Sequence, residues 1–192
     1  MLTLYLAPGS SSMAVHIALH EIGVPFETKP MSFSGNDMRA PNYLKLNPEG
    51  KVPTLLIGGR PLTEVAAILY FLAKRYPDAG LLPRDDIEDD AQALSWMSFI
   101  AATLHPARQR GLDYANEIYA IADRRLGSGW AIGHYSIADI HLFRLYWRFS
   151  NSLKPAAGTF PNLDAHYARM MARPAVQRAI EIESAIGYEL PA

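Results

Sequence analysis

The sequence predicts an α/β unit built on a mixed four-stranded sheet, followed by an all-helical segment. Three observations predict it. Strand-like and helix-like apolar rhythms alternate up to about Tyr76. The stretch 77–84 then carries two prolines and a glycine. Beyond it the two-residue period disappears and only helical spacing remains. The expected division is therefore residues 1–76, a linker 77–84, and a helical domain 85–192.

The elements follow in order. Leu2-Thr3-Leu4-Tyr5-Leu6 is a short β-compatible run that stops at Pro8-Gly9. Three serines lead into a helix with Ala14, Val15, Ala18, Leu19 and Ile22 on one face, and Gly23 suits the position just past its end. Residues 24–28 read as a second strand and 52–57 as a third. Gly58-Gly59 is a hairpin signal joining the third strand to a fourth near 60–62. Ala66, Leu69, Tyr70 and Ala73 give 65–75 helical spacing. After the linker, Asp85 with Glu88 three residues on resembles a capping box. Apolar residues at 87, 91, 94, 97, 101 and 104 trace a stripe along the helix it opens. A further helix is expected over 112–126, ended by Gly127-Ser128-Gly129. In Tyr135-Ser136-Ile137-Ala138-Asp139-Ile140, Ser136 would cap, Asp139 would reach back, and Tyr135 would staple onto Ile140. Pro161 and Pro174 stand where first-turn prolines open two more helices.

Composition narrows the function. The chain has 192 residues, 49% of them apolar, enough for a substantial core. Lys and Arg number 18 against 19 Asp and Glu, for a net charge of -1. Seven basic residues face five acidic up to Tyr76, and eleven face fourteen after it. Neither part has the basic excess of a nucleic-acid binder. The absence of cysteine excludes disulfides, thiolate metal sites and a protein thiol nucleophile. No basic n-region opens the chain, and the longest apolar run, 65–73, is too short to cross a bilayer. No membrane role is expected. His16 and His20, at i,i+4, lack a third ligand, so no metal site is expected either.

Three features could carry chemistry. Pro8-Gly9-Ser10-Ser11-Ser12 sets hydroxyls at a helix N-terminus, where amides and the helix dipole favour an anion; the ordinary alternative is a simple N-cap. Val52-Pro53 starts a buried strand, where proline permits a cis or a trans bond. A cis bond would turn the Val52 backbone outward, able to pair with a peptide-like ligand. Thr63-Glu64-Val65 places a carboxylate at a helix mouth, either to complement the dipole or to meet a ligand's amino group.

Taken together, strand-Pro-Gly-Ser-Ser-Ser-helix, Asn47-Pro48-Glu49-Gly50-Lys51-Val52-Pro53, Thr63-Glu64 and the Tyr-Ser-Ile-Ala-Asp motif resemble the cytosolic glutathione transferase family. The resemblance spans Leu2 to about Ser184 and is strongest to the bacterial beta-type branch, in Pro8-Gly9 and from Trp96 through His105. It implies a thioredoxin-like first domain, a helical second domain, a cytoplasmic homodimer and a detoxifying transferase. Its co-substrates would be glutathione and a small electrophile, with no metal. By the same resemblance Ser11 stands where the beta-type branch has a cysteine that contacts the glutathione sulfur. Ser10 stands where serine-type members keep a catalytic hydroxyl, and Ser12 matches a serine following the beta-type cysteine. Val52, before a family cis-proline at Pro53, would bind the cysteinyl backbone. Glu64 and the Val65 amide would hold the γ-glutamyl end. Ser98 and His105 match polar residues lining the beta-type site.

The chain departs from the branch in three ways. Without cysteine, no mixed disulfide with glutathione can form. No lysine in 31–40 matches the one that meets the glycine carboxylate, with Arg39 or Lys51 as substitutes. The interval between His105 and Trp130 is short for the family. Two other expectations therefore stand beside a conjugating transferase: a lapsed binding or scaffold protein, and a specialised glutathione-dependent isomerase, dehalogenase or lyase.

Overall fold

The structure is a computed structural model that describes residues 1–189. Four strands, β1 (Leu2–Leu6), β2 (Phe26–Pro30), β3 (Thr54–Ile57) and β4 (Arg60–Thr63), form one sheet in the order β2-β1-β3-β4. β1 pairs parallel with β2 and antiparallel with β3, which pairs antiparallel with β4. This is the mixed four-stranded sheet expected. The second strand lies two residues later than 24–28, and the third begins at Thr54 rather than at residue 52.

The helices are α1 (Ser12–Ile22), α2 (Pro41–Leu44), α3 (Val65–Arg75), α4 (Ile87–Phe99), α5 (Leu112–Leu126), α6 (Ile137–Leu153), α7 (Pro161–Met171) and α8 (Pro174–Ile186). Gly23, at φ 74, closes α1 by donating to the Leu19 carbonyl. Pro161 and Pro174 open α7 and α8 as expected.

The chain packs as two compact units, Met1–Leu72 with Pro174–Ala192, and Ala73–Arg173. The sequence alone assigns 174–192 to the helical segment. In the structure α8 packs on α1 and belongs with the sheet. The cause is its inner stripe: Val176, Ala179 and Glu183 are all fully buried. In the first unit Leu4, Leu6, Ile17, Leu55 and Ile68 are completely enclosed.

The second unit surrounds a cluster that includes Trp96, Ile100, Leu104, Tyr119, Tyr146, Phe149 and Phe160. Two local expectations need correction here. Asp86, not Asp85, caps α4, accepting from the Glu88 and Asp89 amides at 3.0 Å each. The inward stripe of α4 runs through Ala93, Trp96, Met97 and Ile100 and continues to Leu104. Ile87 is 79% exposed and Leu94 42%, because both helix faces carry apolar residues and spacing alone does not set the phase. A π-turn at Ile100–Leu104 shifts the register beyond α4. The capping box of α6 forms as expected: Ser136 Oγ accepts from the Ala138 amide, and Asp139 accepts from the Ser136 amide at 2.9 Å. The Tyr135 ring packs edge-on to Trp130, with the Arg173 guanidinium 3.5 Å from its centroid.

Candidate functional site

Strand register gathers most of the expected site residues. Tyr5 opposes Thr54, and Thr54 opposes Thr63. The end of β1, the start of β3 and the end of β4 therefore share one end of the sheet, with neighbouring strands about 4.8 Å apart. Ser10, Ser11 and Ser12 follow β1, Val52 and Pro53 precede β3, and Glu64 and Val65 follow β4. The sheet brings these seven to one end of the first unit. Ser98 and His105 lie in the second unit, both exposed, on α4 and just after the π-turn.

The three serines differ sharply once their protons are assigned. Ser12 is fully buried; its hydroxyl donates to the Ala7 carbonyl at 3.2 Å and accepts from the Ala7 amide at 3.1 Å. Its single proton is thus used, so in the 2.8 Å contact with Ser10 the donor is Ser10. Ser10 Oγ in turn accepts from the Ser12 amide at 3.2 Å. Both hydroxyls brace the loop. Ser11 is half-buried, occupies the N-cap position of α1, and makes no side-chain cap bond. Among the described residues it alone of the three keeps an uncommitted hydroxyl proton, and it lies at a helix N-terminus.

Val52-Pro53 is cis. Val52 is half-buried and precedes the first paired residue of β3, so its backbone is outside the ladder. The loop before it is held by Tyr43, which the sequence does not single out, together with members of the Asn47–Pro53 motif. Tyr43 donates to the Lys51 carbonyl at 2.5 Å and receives the Thr54 hydroxyl at 2.9 Å. The Asn47 side-chain amide also donates to Lys51 O, at 2.8 Å. Gly50, at φ 63, is required: a Cβ there would stand 2.8 Å from Met38 O and 2.9 Å from Arg39 Nη1. Lys51 pairs with Glu49 at 2.8 Å, and Arg39 reaches the Glu49 carbonyl at 3.4 Å.

Glu64 is exposed and sits at φ 68, a left-handed conformation uncommon for a residue with a Cβ. It precedes α3 rather than lying in its first turn, and its carbonyl takes the Ile68 amide at 2.9 Å. Outliers of this kind concentrate at ligand-binding positions.

A second group absent from the sequence reading lies beneath the serine loop. Glu183 on α8 accepts from the Gly9 amide at 2.6 Å and from His16 Nδ1 at 2.9 Å, and His16 Nε2 meets His20 Nε2 at 3.1 Å. Burial, with His16 and Arg178 nearby, pushes the His20 imidazole down to about 4. The available signal was Glu183 itself, a charged residue in step with Val176 and Ala179 on an apolar stripe. Among the described residues no His, Asp and Glu group is arranged to hold a metal, and no helix is long and apolar enough to cross a membrane.

Comparison with known proteins agrees with this fold. The model of the glutathione S-transferase N-terminal domain matches residues 1–74, and that of the C-terminal domain matches 89–174. A Xanthomonas campestris protein, Glutathione S-transferase GST-4.5, is 32% identical over 202 aligned residues, covering 94% of this chain and 98% of its own. Two solved structures are also similar. A sphingomonad glutathione S-transferase complexed with glutathione has a TM-score of 0.84 at 29% identity, over 95% of this chain and 98% of that one. The beta-class enzyme of Sphingomonas chungbukensis has a TM-score of 0.77 at 32% identity, over 94% and 98%. A thioredoxin-like sheet joined to a helical segment, matched along both parts by family models and along nearly its whole length by a relative, makes this chain a member of the glutathione S-transferase family.

Proposed function

We propose that this protein activates glutathione by a hydrogen bond from Ser11 to its sulfur, for attack on a small electrophilic substrate. The proton assignment at the serine loop carries the reading: Ser10 and Ser12 hold each other and the Ala7 backbone, leaving Ser11 to donate. The Val52 backbone, outside the sheet ladder, would pair with the cysteinyl unit beside Pro53. Glu64 and the Val65 amide at the α3 N-terminus would take the γ-glutamyl ammonium and carboxylate. By the family resemblance Ser98 and His105 would supply further polar contacts, and the protein would act as a cytoplasmic homodimer.

The energies are sufficient without a general base. An unperturbed thiol has a pKa of ~8.5, and lowering it by about two units needs roughly 2.7 kcal/mol. A hydrogen bond to a charged sulfur contributes about 1.5–3 kcal/mol. The N-terminus of α1 adds ~0.3–1 kcal/mol. The thiol proton leaves to water; the thiolate then attacks carbon, an S–C bond forms, and the leaving group departs with its electron pair. The test is the ultraviolet thiolate absorbance of bound glutathione as a function of pH. Ser11→Ala should raise the thiol pKa by about one to two units and lower kcat/KM for a chlorodinitrobenzene-type electrophile by ~10–100-fold. An unchanged pKa removes Ser11 from the chemistry, and glutathione retention without any turnover by the wild type supports the scaffold reading instead.

A further inference from the structure

We propose that Glu183 is a positioning residue for Ser11, acting through the Pro8-Gly9 turn; the inference rests on the role given to Ser11 above. A carboxylate with no exposed surface on an apolar helix stripe is unusual, since a leucine would fill such a position at lower cost. Glu183 is retained in a fully bonded arrangement. Oε2 receives the Gly9 N–H at 2.6 Å and Oε1 receives His16 Nδ1–H at 2.9 Å. One proton then lies between the two imidazoles, donated by His20 Nε2 to His16 Nε2 across 3.1 Å. Buried networks specify one geometry when every member is satisfied.

The grip falls at a sensitive point. The Ser10 amide bonds the Ala7 carbonyl at 3.0 Å, so residues 7–10 form a β-turn. Proline fixes φ near −65° at its second position, and Gly9 has φ 70 at its third, which makes the turn type II. Types I and II differ by a flip of the central peptide, here Pro8–Gly9. Glu183 holds the N–H of that peptide, and its other oxygen holds His16 on α1. Ser11 lies between these two points in the chain. The bonds among Ala7, Ser10 and Ser12 fix the loop internally. The carboxylate, 174 residues distant in sequence, ties the turn to the helix that follows.

The experiment reads the thiol pKa of bound glutathione, which a purely structural residue would leave alone in the folded fraction. Glu183→Ala should raise it by about one unit, with a roughly tenfold loss in kcat/KM for glutathione and an unchanged KM for the electrophile. Glu183→Gln should restore most of the loss, since the amide oxygen can take Gly9 N–H while its NH2 faces the alternative His16 tautomer. If the alanine variant does not fold, Glu183→Asp keeps the charge on a shorter arm and should raise the pKa in the same direction. In a Ser11→Ala background the Glu183 variants should add nothing. A wild-type thiol pKa in folded Glu183→Ala or Glu183→Asp overturns the proposal. If Ser11→Ala itself leaves the pKa unmoved, the reading of Ser11 fails instead.

Discussion

Three adjacent serines are chemically identical in the sequence and have three different hydrogen-bonding states in the folded chain. The distinction is one of proton supply: each hydroxyl has one proton, and the Ala7 carbonyl and Ser12 oxygen consume two of the three. Ser10→Ala should therefore act on stability before chemistry. It leaves the buried Ser12 amide without its acceptor and should cost about 1–3 kcal/mol. Chemical denaturation should show that loss, while the folded variant retains a lowered thiol pKa. A stable Ser10→Ala protein with a thiolate defect would reverse the assignment of Ser10 and Ser11. At this scale the residue types were legible, and their division of labour was not. Tyr43 was not legible because an isolated Tyr ahead of a proline strand carries no periodic signal; only the folded loop brings it beside Asn47 on Lys51 O.

Among the elements, α6 was the most legible, because its start signal is local. Ser136 and Asp139 are three residues apart, and the capping box they form needs only the first helical turn. Packing adds to that local role. Asp139 is fully buried and also accepts from the Ala131 amide at 2.8 Å and contacts His166 Nε2 at 3.1 Å. Asp139→Ala strips several buried donors at once and should cost ~3 kcal/mol or more, beyond the ~1 kcal/mol of an ordinary cap. Ser136→Ala, which leaves Asp139 on the amide of residue 136, should cost less. Thermal melts of the two variants give the order. The phase of α4 was misread for the opposite reason. Its inward face is chosen by the helices around it, and buried Asp90, paired with Lys74 at 2.5 Å, occupies the side that pattern alone would make apolar.

For the whole molecule, each packing unit holds a histidine kept neutral by its surroundings. His20 is lowered to about 4, first by burial and then by His16 and Arg178. His141 is lowered to about 3, first by burial and then by His105 and Arg144. Both unfold to an imidazole near 6.5, so below that pH the unfolded chain binds protons that the native chain refuses. Stability should be level above about pH 7, fall as pH drops through 6.5, and keep falling to about 4 for His20 and 3 for His141. Melting temperature measured across this range should show the slope, and His141→Gln should flatten it. A melting temperature independent of pH between 7 and 4 would contradict these assignments.

The amino-acid order by itself determined the elements whose causes are local: the Pro8-Gly9 stop, the glycine end of α1, the Gly58-Gly59 hairpin, the prolines opening α7 and α8, and the α6 cap. It also gave the residue types at the mouth of α1 and around Pro53. Tertiary structure decided what depends on distant partners. It paired Glu183 with Gly9 and His16, moved α8 to the sheet, set the inward face of α4, and left Ser11 as the hydroxyl with a proton to give. The reason is physical: a turn or cap is satisfied within a few residues, whereas a buried carboxylate or a committed hydroxyl is defined by groups that only folding brings within hydrogen-bond reach.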